Sequence, residues 1–219
     1  MRLLTKKNDS ISQESEKNSI LKFELWGILV IVGMFLISYA IVFSSDKMQL
    51  TYISKWRQIE KEAKYLFNLD KVFEQSPSFA EMPPSDLSEL FNRVKPKEKF
   101  EKVDKKDYKY RFLNGAKVEK NSEYYMSEIC KVSSGLFVGY SKLNTTCQND
   151  IPCARIYVDV NGRILPNRFG KDIFGFNLYR NKIEVLGHGV NYNFIKKDCS
   201  PKGSGIYCSS YFSGGGDLN

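Results

Sequence analysis

Three hydrophobic textures follow one another along the chain. Leu25–Phe43 is a run of nineteen residues with no charged side chain. As a helix it would span roughly 28 Å, close to the hydrocarbon core of a bilayer, so it predicts a membrane-spanning segment. Beyond it, apolar residues return every three or four positions at Leu50, Ile53, Trp56, Ile59, Ala63 and Leu66-Phe67. Lys55, Arg57, Glu60, Lys61, Glu62 and Lys64 stand between them. That period predicts an amphipathic helix. No Gly or Pro falls between Met34 and Gln75, and the pattern predicts one helix from about Leu21 to Leu69. Its second half would turn Ile53, Trp56, Ile59, Ala63 and Phe67 toward a globular domain, with Lys55 and Glu62 toward water. A spanning helix followed by a separate juxtamembrane helix fits the same pattern.

After Lys109 the period shortens to two. Tyr110–Leu113, Asn114-Gly115 and Ala116–Val118 read as a hairpin, because Asn-Gly supplies the positive φ of a tight turn. Leu136–Leu143, Ala154–Val160, Phe174–Tyr179 and Lys182–Leu186 read as further strands at short spacing, hence an antiparallel meander. In the second of these, Ile156, Val158 and Val160 alternate with Arg155, Tyr157 and Asp159, which predicts one dry and one wet face. Residues 70–109 hold Pro77, Pro83, Pro84 and Pro96 and read as loops enclosing a short helix, Asp86–Val94, capped by Ser85.

The expected fold class is therefore α+β: a long N-terminal helix, membrane-spanning in its first half, packed on a small antiparallel β-sheet. The divisions are a cytoplasmic leader (1–20), the transmembrane half of the helix (21–45), its amphipathic half (46–69), the loop region (70–109) and an antiparallel β domain with disulfide loops (110–219).

A length of 219 residues leaves room for one compact domain with appendages. The net charge of +8 comes from 33 basic and 25 acidic residues interspersed along the chain. With no helix-turn-helix or RNA-binding aromatic motif, no nucleic-acid partner is expected. All five cysteines, Cys130, Cys147, Cys153, Cys199 and Cys208, follow the apolar run. That places the C-terminal part in an oxidising compartment and the amino terminus in the cytoplasm of a single-pass membrane protein. Cys147 with Cys153 and Cys199 with Cys208 bracket short loops and are the expected disulfides. Cys130 is left over, free or in an alternative pairing.

The single histidine, His188, sits between two glycines, and no nucleophile elbow, phosphate loop or zinc-protease motif occurs. No enzymatic activity is expected. The most specific segment runs from Asp159 to Phe176. Asp159, Asn161, Asn167 and Asp172 bring four oxygen-bearing side chains to one loop, a candidate Ca²⁺ set, since that ion takes six to eight oxygens. The same residue types also shape turns by bonding their own backbone. Both readings stand at this point.

The match at Asp159, Asn161, Gly162, Pro166, Asn167, Gly170, Lys171, Asp172 and Phe174, with the long N-terminal helix, resembles bacterial type IV pilin-like proteins and the pseudopilins of type II secretion. The resemblance implies a leader cut by a prepilin peptidase between Ser19 and Ile20, with methylation of the new terminus, although the family carries glycine where Ser19 stands. It implies that Glu24, at the family's fifth position, assembles subunits into a filament. The expected function is then a non-enzymatic structural subunit of a type IV pilus or a type II secretion-like filament. The resemblance further implies a single-pass inner-membrane protein with its C-terminal domain periplasmic or extracellular, and as partners the inner membrane and other pilin or pseudopilin subunits. The alternative is a membrane-anchored, adhesin-like binding module outside any filament.

Overall fold

The computed structural model describes residues 31–35, 46–65, 86–89, 99–145, 147–180 and 182–216. The chain divides into two compact units, Met1–Met48 and Gln49–Asn219. In the first unit residues 31–35 and 46–48 are helical.

The second unit is built on a six-stranded sheet. Its strands are β1 (Phe100–Lys102), β2 (Glu128–Val132), β3 (Phe137–Lys142), β4 (Ala154–Asp159), β5 (Ile173–Leu178) and β6 (Ile183–Val185), in that spatial order and antiparallel throughout. Helical residues precede and follow it. We label residues 46–65 α1, Tyr192–Asp198 α2 and Cys208–Ser213 α3.

Among the described residues no helix is long and apolar enough to cross a membrane. This corrects the expected fold class. Among the described residues no long N-terminal helix with a membrane-spanning first half packs on the sheet, and α2 and α3 have only seven and six residues. It equally corrects the single-pass inner-membrane localisation. Of the expected transmembrane half, 21–45, only residues 31–35 are described, and α1, the longest described helix, has eight charged residues among its twenty, from Asp46 to Lys64. A segment so charged is far too costly to place in hydrocarbon.

From Gln49 onward α1 lies against the sheet by one stripe. Tyr52, Ile53 and Trp56 are buried, and Ile59 and Ala63 pack partly buried on the same cluster. Trp56 stacks on Phe174 with ring centroids 5.1 Å apart and on Phe176 at 4.8 Å. Its indole N–H donates to the Ser209 carbonyl at 3.1 Å and the Ser213 hydroxyl at 3.2 Å in α3. Lys55, expected to face water, donates from its exposed side chain to the Val160 carbonyl at 3.3 Å. Phe67 lies outside the described residues.

The expected wet face of β4 is dry at its end. Tyr157 and Asp159 are buried, because a cluster of Val103, Tyr108, Val118, Met126, Phe169 and Ile206 covers that side. Room for Tyr157 comes from glycines on both neighbouring strands, Gly139 and Gly175. A Cβ on Gly175 would stand 2.7 Å from Leu186 Cδ1 and 2.9 Å from the Tyr157 ring. The 110–118 hairpin reduces to one bridge, Arg111 with Lys117, around the Asn114-Gly115 turn. β1 lies in the segment read as loops.

Candidate functional site

The Asp159–Asp172 loop leaves the end of β4 and returns to the start of β5, where Asp159 stands opposite Ile173. Both carboxylates are buried, Asp159 at 2% and Asp172 at 0% exposure. Bare carboxylates at that depth are untenable, so the loop is arranged to supply donors. Asp159 Oδ1 accepts the backbone N–H groups of Asn161 and Gly162, both at 3.0 Å. Its Oδ2 accepts the Tyr108 hydroxyl at 2.5 Å. Asp172 Oδ2 accepts the Asn167 N–H at 2.8 Å and the Asn161 side-chain amide at 3.0 Å. Its Oδ1 accepts the Arg168 N–H at 2.6 Å.

Asn161 is the joint of this arrangement. Its Nδ2 also donates to the Tyr52 hydroxyl at 3.0 Å, which ties the loop to α1. Gln49 adds a second tie, its side chain donating to the Lys171 carbonyl at 2.9 Å. Asn167 takes a left-handed backbone, φ 46°, and its side chain donates to the Lys109 carbonyl at 3.3 Å. Asparagine tolerates that conformation better than most residues. Gly162, at φ 71°, has the Gly135 carbonyl so close that a Cβ would meet its oxygen at 2.7 Å.

Burial pushes the Asp159 carboxyl up to about 7, with the Tyr108 hydrogen bond pulling down and the Asp172 charge adding to the rise. Asp172 is raised too, chiefly by burial. Tyr108 is pushed well above its ordinary range by burial and then by the Asp159 charge. The pair therefore holds protons more tightly than carboxylates in water do.

As a candidate Ca²⁺ set, the four residues converge, but all four carboxylate oxygens already face N–H or O–H donors. A cation would have to displace those donors. The Asn161 and Asn167 amide oxygens are buried without a hydrogen-bond donor. Among the described residues no group of three or more His, Cys, Asp or Glu side chains is placed to hold a metal ion. The arrangement is that of a latch: it fixes a loop, two strand ends, the Tyr108 segment and α1 at one point.

Comparison with protein-family models, with curated proteins and with solved structures finds no match.

The other candidate residues are dispersed. Cys147 is bonded to Cys153, with Cα atoms 4.6 Å apart, closing the loop between β3 and β4. Cys199 is bonded to Cys208 at 5.0 Å, joining the end of α2 to the start of α3. Cys130 is free and buried in β2, where burial raises its thiol pKa, so it is not a reactive nucleophile. His188 lies on a turn, its side chain 63% exposed and 3.5 Å from Glu184. Ser19, Ile20 and Glu24 lie outside the described residues. Sequence reasoning missed Tyr108 and Tyr52. Each reaches the latch across more than fifty residues, and no local motif marks either.

Proposed function

We propose that the chain is a non-enzymatic structural subunit of a pilin-like or pseudopilin filament. The observation that carries this reading is the latch. The segment with the family resemblance, Asp159 to Phe174, commits its carboxylates to hydrogen bonds that tie the loop to the sheet and, through Asn161 and Tyr52, to α1, which is a structural role. Side chains that serve catalysis need an open, reachable atom, whereas Asp159 and Asp172 present none. The outer side of α1 supports packing against a neighbour. It carries a shallow groove of about 410 Å³ lined by Leu50, Ile53, Ser54, Arg57, Gln58 and Lys61.

Photo-crosslinking of the full-length chain in its host tests this. A benzophenone amino acid at Gln58, exposed on the outer side of α1, is expected to give a ladder of covalent multiples with copies of the chain or with similar subunits. The same probe at Lys120, exposed on the far coil, is expected to give none. A Gln58 probe that yields only the single chain overturns the reading.

A further inference from the structure

The latch holds a loop whose tip is buried by nothing. Ile164 and Leu165 are 64% and 75% exposed, and Leu165 is the most exposed large hydrophobic residue among those described. Single exposed aliphatics are ordinary. Two in succession, at the tip of a loop pinned at its base by two buried carboxylates, are a presented feature, because the pinning holds them away from the core.

The surroundings of the tip are cationic. Arg163 precedes it, exposed, with its guanidinium 5.9 Å from the centroid of the Phe137 ring. Arg168 and Lys171 follow, half-buried. The 109–112 segment runs alongside, since the Arg111 N–H donates to the Asn167 carbonyl at 3.0 Å and the Phe169 N–H to the Arg111 carbonyl at 3.0 Å. It contributes Lys109 and Arg111, both exposed. The carboxylates of the loop itself, Asp159 and Asp172, are buried and bonded. Glu101, Asp104 and Asp107 line one cleft together with Arg163 itself, Lys102 and Lys131, so three cations there face three carboxylates.

We infer that the Ile164-Leu165 tip is a peripheral docking point for an anionic lipid surface, which it touches without spanning. The pair is exposed to solvent, so it suits a yielding apolar phase. Arg163, Lys109 and Lys171 match lipid phosphates, to which each basic residue near the surface contributes separately, while the Arg111 and Arg168 guanidiniums donate to the Gly115 and Leu113 carbonyls at 3.0 and 3.4 Å and add their charge from there. A soluble polyanion would engage the cations and leave the aliphatic pair in water.

The test uses the full-length chain with Cys130→Ala and Leu165→Cys, labelled at residue 165 with an environment-sensitive fluorophore. It is mixed with preformed vesicles of phosphatidylcholine alone or of phosphatidylcholine with phosphatidylglycerol at a 3:1 ratio. The expected result is a blue shift and quenching by brominated lipid in the anionic vesicles only, reversed by high salt, with a label at Lys120→Cys unmoved. Arg163→Ala and Lys109→Ala should each lower the bound fraction about fivefold at sub-saturating lipid. A label that stays water-like in anionic vesicles overturns the inference, as does an equal response in neutral ones. A shift that depends on protein concentration in lipid-free detergent also overturns it and assigns the tip to a contact between copies.

Discussion

The Tyr108 hydroxyl donates to the Asp159 carboxylate at 2.5 Å, joining residues fifty-one positions apart in the chain at a depth where neither meets solvent. Tyr108 also stacks near Phe137, centroids 5.3 Å apart, so its ring is held by β3 while its oxygen serves β4. Replacing it by Phe keeps the packing and removes the donor. Leaving a buried carboxylate short of one partner costs about 1–3 kcal/mol. Tyr108→Phe should therefore lower the unfolding midpoint in denaturant titrations of the full-length protein. It should also raise the Asp159 pKa further, since the lost bond favoured the ionised form. An unchanged midpoint would mean that the bond does not stabilise the fold.

The raised carboxyls set a pH dependence with a definite sign. Asp159 ionises near its ordinary value of 3.8 in the unfolded chain and at about 7 in the folded one. Between those values the folded state binds more protons, so stability falls as pH rises through the window from about 4 to 7. The contribution is fully present below that window and lost above it, and the raised Asp172 acts in the same direction. Unfolding free energies measured from pH 5 to pH 8 should decline, by a few kcal/mol if the whole shift is expressed. Asp159→Asn should flatten that slope, and a slope of the opposite sign in the parent would show that both groups are ionised when folded.

Trp56 carries the contact of α1 with the sheet. Trp56→Ala removes a fully buried side chain from between Phe174, Phe176 and α3, and the expected loss is about 3–5 kcal/mol. Trp56→Phe retains much of the apolar contact and loses only the indole donor to Ser209 and Ser213, so its cost should be smaller. Thermal melts of the two variants give the comparison. Equal losses would assign the effect to the hydrogen bonds and not to packing.

The period-2 pattern places β3 to β6 within two residues at each end, because each of these strands is rich in β-branched or aromatic residues. β1, Phe-Glu-Lys, has a single apolar residue, and β2 mixes Glu128 and Lys131 with Ile129, Cys130 and Val132. Neither carries a readable alternation, and both pair because their neighbour is already in place. The burial of Tyr157 and Asp159 was hidden for a related reason: much of the cover comes from irregular chain at 103–126, whose pattern, read at 110–118 as a local hairpin, says nothing of where it packs. In the latch, the oxygen-bearing residues 159–172 are visible as a motif. Tyr108 and Tyr52 enter it only through strand register and the seating of α1.

Reduction of the disulfides should separate two kinds of restraint. Cys199–Cys208 closes a nine-residue separation that also contains Asp198 contacts, the carboxylate accepting the Ser204 and Tyr207 N–H groups at 2.9 Å. Cys147–Cys153 closes a six-residue separation in the connection from the end of β3 to the start of β4. Each short loop is worth about 2–3 kcal/mol through the unfolded chain. Cys199→Ala/Cys208→Ala should loosen α3 and, through Ser209 and Ser213, the Trp56 seat, read as faster amide exchange in α3. Cys147→Ala/Cys153→Ala should leave that exchange unchanged.

The latch and a calcium site make opposite demands on the same oxygens. A bound cation would stabilise the folded chain by mass action, with a melting temperature that climbs with ion concentration. In the structure Asp159 accepts three donors and Asp172 three more, so binding would first break hydrogen bonds that already satisfy both groups. The expected outcome is identical melting of the full-length protein in millimolar Ca²⁺ and in chelator. Asp172→Asn retains one acceptor oxygen and should destabilise less than Asp172→Ala, which strips the Asn161, Asn167 and Arg168 donors of their partner. A calcium-dependent rise in melting temperature that disappears in Asp159→Ala would show instead that the donors give way to the ion.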